Sequence, residues 1–165
     1  MTRIVTKIGD VFAVNINETT RKYFQYVAND LTQLNSSVIR AFRQKYVPGS
    51  RVDLSEVVKG EVDFYAHCVL KWGIQLGYWE KVGKVADVGK VEVFFRNTND
   101  WGRKLGEEPV VISEKWFVWR INEEHQSIGR LTGEYLKAEI GVVVNADDVV
   151  TRMRTGAYSF EYPSG

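Results

Sequence analysis

The chain is poor in the residues that most metalloproteins and many enzymes depend on. Its 165 residues include one cysteine, Cys68, and two histidines, His67 and His125. A single cysteine closes no internal disulfide and builds no thiolate metal site, which fits a reducing compartment. Two histidines supply only part of the three or four converging ligands that a hydrolytic metal centre uses. No nucleophile elbow, phosphate-binding loop or dinucleotide glycine pattern occurs. The expectation is a protein without catalytic residues, metal or cofactor. Prolines number only three. No Ser/Gly-rich linker, charge run or internal repeat divides the chain, so residues 1–165 read as a single domain, ordered from about Thr6 to Tyr162. No apolar run approaches the roughly 18 residues of a membrane span. The stretch Met1 to Lys7 has no apolar core behind its positive charges, so no secretory leader is expected. A cytoplasmic location follows as the expectation. With 22 basic and 21 acidic residues the net charge is +1, without the basic excess of a dedicated nucleic-acid binder.

Aromatic residues, by contrast, are plentiful: 8 Phe, 8 Tyr and 5 Trp. Together with the β-branched residues they favour strands. Strands are expected over Ile8 to Ile16, Lys22 to Ala28, Ser37 to Tyr46, Val62 to Trp72, Trp79 to Val82, Val91 to Arg96, Lys115 to Ile121 and Ala138 to Val144. Asp53 and Glu56 have the spacing of a capping box ahead of a short helix that Gly60 can end. Asn145 can cap a helix over Ala146 to Thr155, with acids in its first turn, Arg152 and Arg154 near its end and Gly156 as its stop. The fold class is mainly β (α+β): a strongly bent antiparallel sheet or small barrel with two short helices. The Ser37 to Tyr46 strand is a candidate edge that could pair with a second copy.

Candidate binding residues follow from position. The long loop from Asn97 to Glu114 has a polar, turn-rich centre, and long loops of this kind are often functional. Trp101 stands there in Asn99-Asp100-Trp101-Gly102-Arg103, an aromatic beside an arginine as in an interface anchor. Glu107 and Glu108 follow. The other candidate surface is the face of Asp63 to Lys71 expected to be exposed, carrying Asp63, Tyr65 and His67. His67 and Cys68 are sequence neighbours and point to opposite faces of a strand, so they cannot chelate one ion together. The partner-binding set is therefore Asp63, Tyr65, His67, Asn99, Asp100, Trp101, Arg103, Glu107 and Glu108. Arg40, Arg43, Lys45 and Arg51, interleaved with Phe42 and Tyr46, form the best nucleic-acid signal, although four charges on one strand are more often a solvated face. The remaining tryptophans, Trp72, Trp79, Trp116 and Trp119, lie in or beside strands and should mostly be core.

Several of these segments together resemble a known family. They are Lys7-Ile8-Gly9-Asp10-Val11-Phe12-Ala13-Val14, Tyr23-Phe24-Gln25-Tyr26-Val27-Ala28-Asn29-Asp30, Asp63-Phe64-Tyr65-Ala66-His67-Cys68, Trp79-Glu80-Lys81-Val82-Gly83 and Arg96-Asn97-Thr98-Asn99-Asp100-Trp101-Gly102. The chain is similar, over about residues 5 to 145, to small bacterial immunity proteins of polymorphic toxin and contact-dependent inhibition systems. That family is grouped jointly with HocA-type phosphotriesterases. The resemblance implies a cytoplasmic protein that binds a cognate toxin domain and occludes its active site; the absence of a long apolar run argues against a membrane partner, and the balanced charge against a nucleic-acid one. The second half of the family label implies a phosphotriester hydrolase, against which the scarcity of metal ligands speaks. A small nucleic-acid-binding barrel is the third reading.

Overall fold

The computed structural model describes residues 3–100, 108 and 111–165. Among these residues, ten strands form two sheets, accompanied by three short α-helices. The first sheet contains β1 (Asp10–Asn15), β2 (Arg21–Asp30), β3 (Ser36–Phe42), β4 (Val62–Cys68), β5 (Glu80–Lys84) and β10 (Val143–Val144), in the order β10-β4-β3-β2-β1-β5. The second contains β6 (Phe94–Thr98), β7 (Trp116–Arg120), β8 (Gln126–Gly129) and β9 (Glu139–Ile140), in the order β8-β7-β6-β9. The pairings are antiparallel except at two ends, where β10 runs parallel to β4 and β9 parallel to β6. The architecture is mainly β and the sheets bend, but they do not close into a barrel.

Alternation explains why the first sheet is buried on both faces. Phe12, Val14, Phe24, Tyr26, Ile39, Ala41, Phe64 and Ala66 point to one side and meet Val149, Val150 and Met153 of α3 (Ala146–Thr155). On the opposite side, Val11, Ala13, Tyr23 and Phe42 pack on α1 (Leu54–Val57), and Val27 and Val38 pack on Phe95 and Trp119 of the second sheet. The result is a layered domain: helix, six-stranded sheet, then second sheet and α1. The inward spacing of Ala146, Val149, Val150 and Met153 is that of an amphipathic helix.

Both expected helices are present. Asp53 caps α1, its side chain accepting from Ser55 N at 3.0 Å. Gly156 ends α3 in the left-handed region at φ 91°, and its N–H reaches Arg152 O at 2.8 Å. Asn145 begins α3 through its carbonyl, which accepts from Val149 N at 3.1 Å, and its side chain makes no capping bond.

Three expectations need correction. The long strand over Val62 to Trp72 ends at Cys68, and α2 (Leu70–Gln75) follows. Leu70 and Gly73 are the inward positions of α2, so a glycine occupies a site where apolar periodicity would otherwise be visible. The Ala138 to Val144 strand divides into β9 and β10, one in each sheet. Gly141 lies at the crossing, where its N–H bonds Arg96 O at 2.8 Å and a Cβ would overlap the Trp119 ring. Finally, β3 lies in the middle of its sheet between β2 and β4, so it offers no free edge to a second copy.

Candidate functional site

His67 sits at the junction of the two sheets and is completely buried. Its Nε2 lies 2.9 Å from Asp30 Oδ2, which also accepts from Trp119 Nε1 at 2.8 Å. Asp30 Oδ1 accepts the backbone N–H of Asn122 at 3.1 Å and of Gln33 at 3.3 Å. One buried carboxylate at the end of β2 therefore takes four donors, and two of these come from β7 and the turn after it. With Nε2–H donating to Asp30, His67 Nδ1 is a bare acceptor, and it has no partner. Burial lowers the His67 pKa, against the opposing pull of Asp30. The ring rests against Phe95, with centroids 4.2 Å apart. A carboxylate–imidazole pair shut off from solvent positions no substrate. It joins the sheets.

This geometry corrects the candidate surface on β4. Asp63, Tyr65 and His67 do share a face of β4, but that face looks toward the second sheet rather than solvent. His67 is sealed, Tyr65 packs half-buried beside Val27 and Val38, and Asp63 pairs with Arg43 at 3.6 Å. In the candidate surface of the Asn97 loop, Asn99 and Glu108 are exposed. Asp100 is half-buried and tied down, its N–H bonding Thr98 Oγ1 at 3.0 Å and its Oδ2 accepting from Ser113 Oγ at 3.4 Å. Trp101, Arg103 and Glu107 lie outside the described residues. The basic stripe disperses: Phe42 is buried, and Arg40 turns inward to Val88 O at 2.7 Å and Gln25 Oε1 at 3.2 Å. Arg43 pairs with Glu61 and Asp63.

The surface that does gather unpartnered apolar side chains is built by α2. Trp79, Trp116 and Trp119 are core, whereas Trp72 is 52% exposed and Leu76 65% exposed. Val69, Tyr78 and Val143 are exposed beside them. All five line one cleft of about 320 Å³ between α2, β10 and the start of α3. A second cleft of about 670 Å³ adjoins it, sharing Tyr78 and Asp147, and runs between β1 and α3. Local sequence explains the arrangement. Leu70 and Gly73 take the inner side of α2, and the Trp79 ring lies directly on Gly73, where a Cβ would overlap it. Trp79 is fixed by Nε1 donating to Leu70 O at 3.1 Å and by edge contact with Phe24, centroids 5.0 Å apart. With the inner side filled, Trp72 and Leu76, one turn apart, must face outward. The Lys71 ammonium lies 5.7 Å from the Trp72 ring centre. Clustered exposed apolar side chains with polar neighbours mark interaction sites.

Sequence reasoning overlooked this surface. The available signal was the density of apolar residues in Val69-Leu70-Lys71-Trp72-Gly73-Ile74-Gln75-Leu76-Gly77-Tyr78-Trp79, which exceeds what one six-residue helix can bury. Among the described residues, no group of three or more His, Cys, Asp or Glu side chains is placed to hold a metal ion. Among them also, no helix is long and apolar enough to cross a membrane. Compared with protein-family models, with curated proteins and with solved structures, the chain has no match in any of the three.

Proposed function

We propose that this chain is a binding protein of the immunity type, which neutralises a cognate toxin domain by covering its active site or substrate path. The observation that carries the reading is the outward-facing cluster of Trp72, Leu76, Tyr78, Val69 and Val143 over the α2 cleft. An exposed tryptophan in an apolar depression has the make-up of an interface hot spot. The adjoining larger cleft extends the surface, as a protein partner burying at least roughly 1,200 Å² requires. The segments that resemble immunity proteins point the same way. Trp72 and Leu76 anchor the complex, the Lys71 and Asp147 side chains at the rim set its register, and Asn99, Asp100 and Glu108 form a secondary contact. The partner is a protein, and the reading includes no turnover.

The test is affinity capture of the tagged chain from its source, followed by identification of what co-elutes. The expected partner is the C-terminal domain of a large secreted protein whose expression arrests growth, and co-expression of this chain should relieve the arrest. A captured protein without toxicity, or a toxin the chain binds but does not neutralise, overturns the reading.

A further inference from the structure

On the opposite flank of α3 the described residues hold a second, chemically different site. A cleft of about 340 Å³ opens between β6, β9, the end of α3 and the C-terminal segment 157–165. Arg96, Lys137 and Arg152 line it, and among the described residues Glu139 is the only carboxylate in the lining. Arg152 is held on both sides. It pairs with Glu139 at 3.2 Å and lies over the rings of Phe64 and Tyr158, 4.3 and 4.8 Å from their centres. Arg96 is half-buried over Trp116, 5.4 Å from its ring centre, and has no carboxylate within ion-pair distance among the described residues. Its Nε is buried and unpartnered. The Tyr158 hydroxyl is buried as well: Arg152 can only donate to its oxygen, which leaves the phenol proton without an acceptor. The cleft residues Arg96 and Tyr158 thus each hold a buried N–H or O–H with no acceptor among the described residues.

Buried donors without acceptors cost stability unless something fills them. Three cations against one carboxylate leave two positive charges uncompensated. That excess matches the roughly −1.5 to −2 charge of a phosphate monoester, whose oxygens suit the fork of an arginine. Burial raises the Glu139 pKa, against the opposing pull of Arg152. Tyr158 and Phe160, stacked with centroids 4.8 Å apart, form an aromatic wall beside the cations. We propose that this cleft is a binding site for a small, ring-bearing phosphate monoester, with Arg96 and Arg152 holding the phosphate, Lys137 guarding the mouth and the Tyr158–Phe160 wall taking the ring.

The experiment titrates the full chain with phenyl phosphate, adenosine 5′-monophosphate and inorganic phosphate, with phenol and adenosine as uncharged controls, reading both heat of binding and Tm. Phenyl phosphate or the nucleotide should bind with a Kd below about 1 mM and raise Tm, and the uncharged compounds should do neither. Arg96→Gln should weaken binding at least tenfold and leave the unliganded Tm nearly unchanged, since it also removes a like charge beside Arg152. Lys137→Gln, at an exposed position, should weaken binding by a smaller factor and decides the matter if Arg96→Gln fails to fold. Inorganic phosphate binding as tightly as the monoesters removes the ring-binding role of the wall. Absence of binding by every phosphate, or unchanged affinity in the variants, overturns the proposal.

Discussion

Replacing Asp30 tests whether one buried carboxylate joins the sheets. Its four donors are His67 Nε2, Trp119 Nε1 and the backbone N–H groups of Asn122 and Gln33. Asp30→Ala strands the two side-chain donors in a dry interior at about 1–3 kcal/mol each. The backbone groups of Asn122 and Gln33 lie nearer the surface and can recover water. Adding the small cavity, the loss should be roughly 3–6 kcal/mol, a large share of the about 5–15 kcal/mol that holds a domain of this kind together. Asp30→Asn keeps the volume and the acceptor for the backbone donors. Its amide can donate to a His67 ring that moves its proton to the unpartnered Nδ1, but Trp119 N–H then faces another donor. That single mismatch should cost about 1–3 kcal/mol. Urea unfolding followed by tryptophan fluorescence measures both losses, and Trp119 reports directly on the junction. An alanine variant that loses under about 1 kcal/mol, or an asparagine variant worse than alanine, refutes the reasoning.

Three further outcomes are expected. Because burial depresses the His67 pKa, the folded state takes up a proton less readily than the unfolded chain. His67 therefore adds stability that is present above its unfolded pKa of about 6.5 and lost as pH falls through it, with a slope of up to about 1.4 kcal/mol per pH unit. Urea midpoints between pH 7.5 and 5.5 should fall more steeply in the wild type than in His67→Asn. The Cys68 thiol, pushed up to about 12 by complete burial, should resist thiol reagents in the native state and react only on unfolding. Gly73→Ala places a Cβ into the Trp79 ring, so it should cost about 1–3 kcal/mol and shift α2 with the side chains it presents. Unchanged melting together with unchanged partner binding in that variant argues against the seating of α2 described above.

Much of the fold is legible in the sequence, because it rests on local signals. Runs such as Asp10 to Asn15 and Trp116 to Arg120 are strand-rich in composition, and α3 is bracketed by its dipole-compatible charges and Gly156. What escapes the sequence depends on tertiary contacts. α2 hides because its inward residue Gly73 is a glycine that only the Trp79 ring explains. β8 carries few apolar residues and forms through pairing with β7. The division of 138–144 between two sheets has no local mark beyond Gly141. The candidate surface was harder still. Alternation correctly put Asp63, Tyr65 and His67 on one face, yet nothing in β4 tells whether that face meets water or a second sheet. Trp72 reads as core until Gly73 is seen to claim the inner side of α2.

The α2 surface is the proposed toxin-binding site. The most direct measurement compares the wild type with the Trp72→Ala/Leu76→Ala double variant against the captured toxin domain, by titration calorimetry and by rescue of toxin-arrested growth. Both positions are largely exposed, so the double variant should fold normally. Loss of an anchor pair worth at least about 2 kcal/mol predicts affinity reduced by roughly 30-fold or more, with rescue impaired in step. A double variant that binds the toxin and protects the cell as well as the wild type contradicts the account.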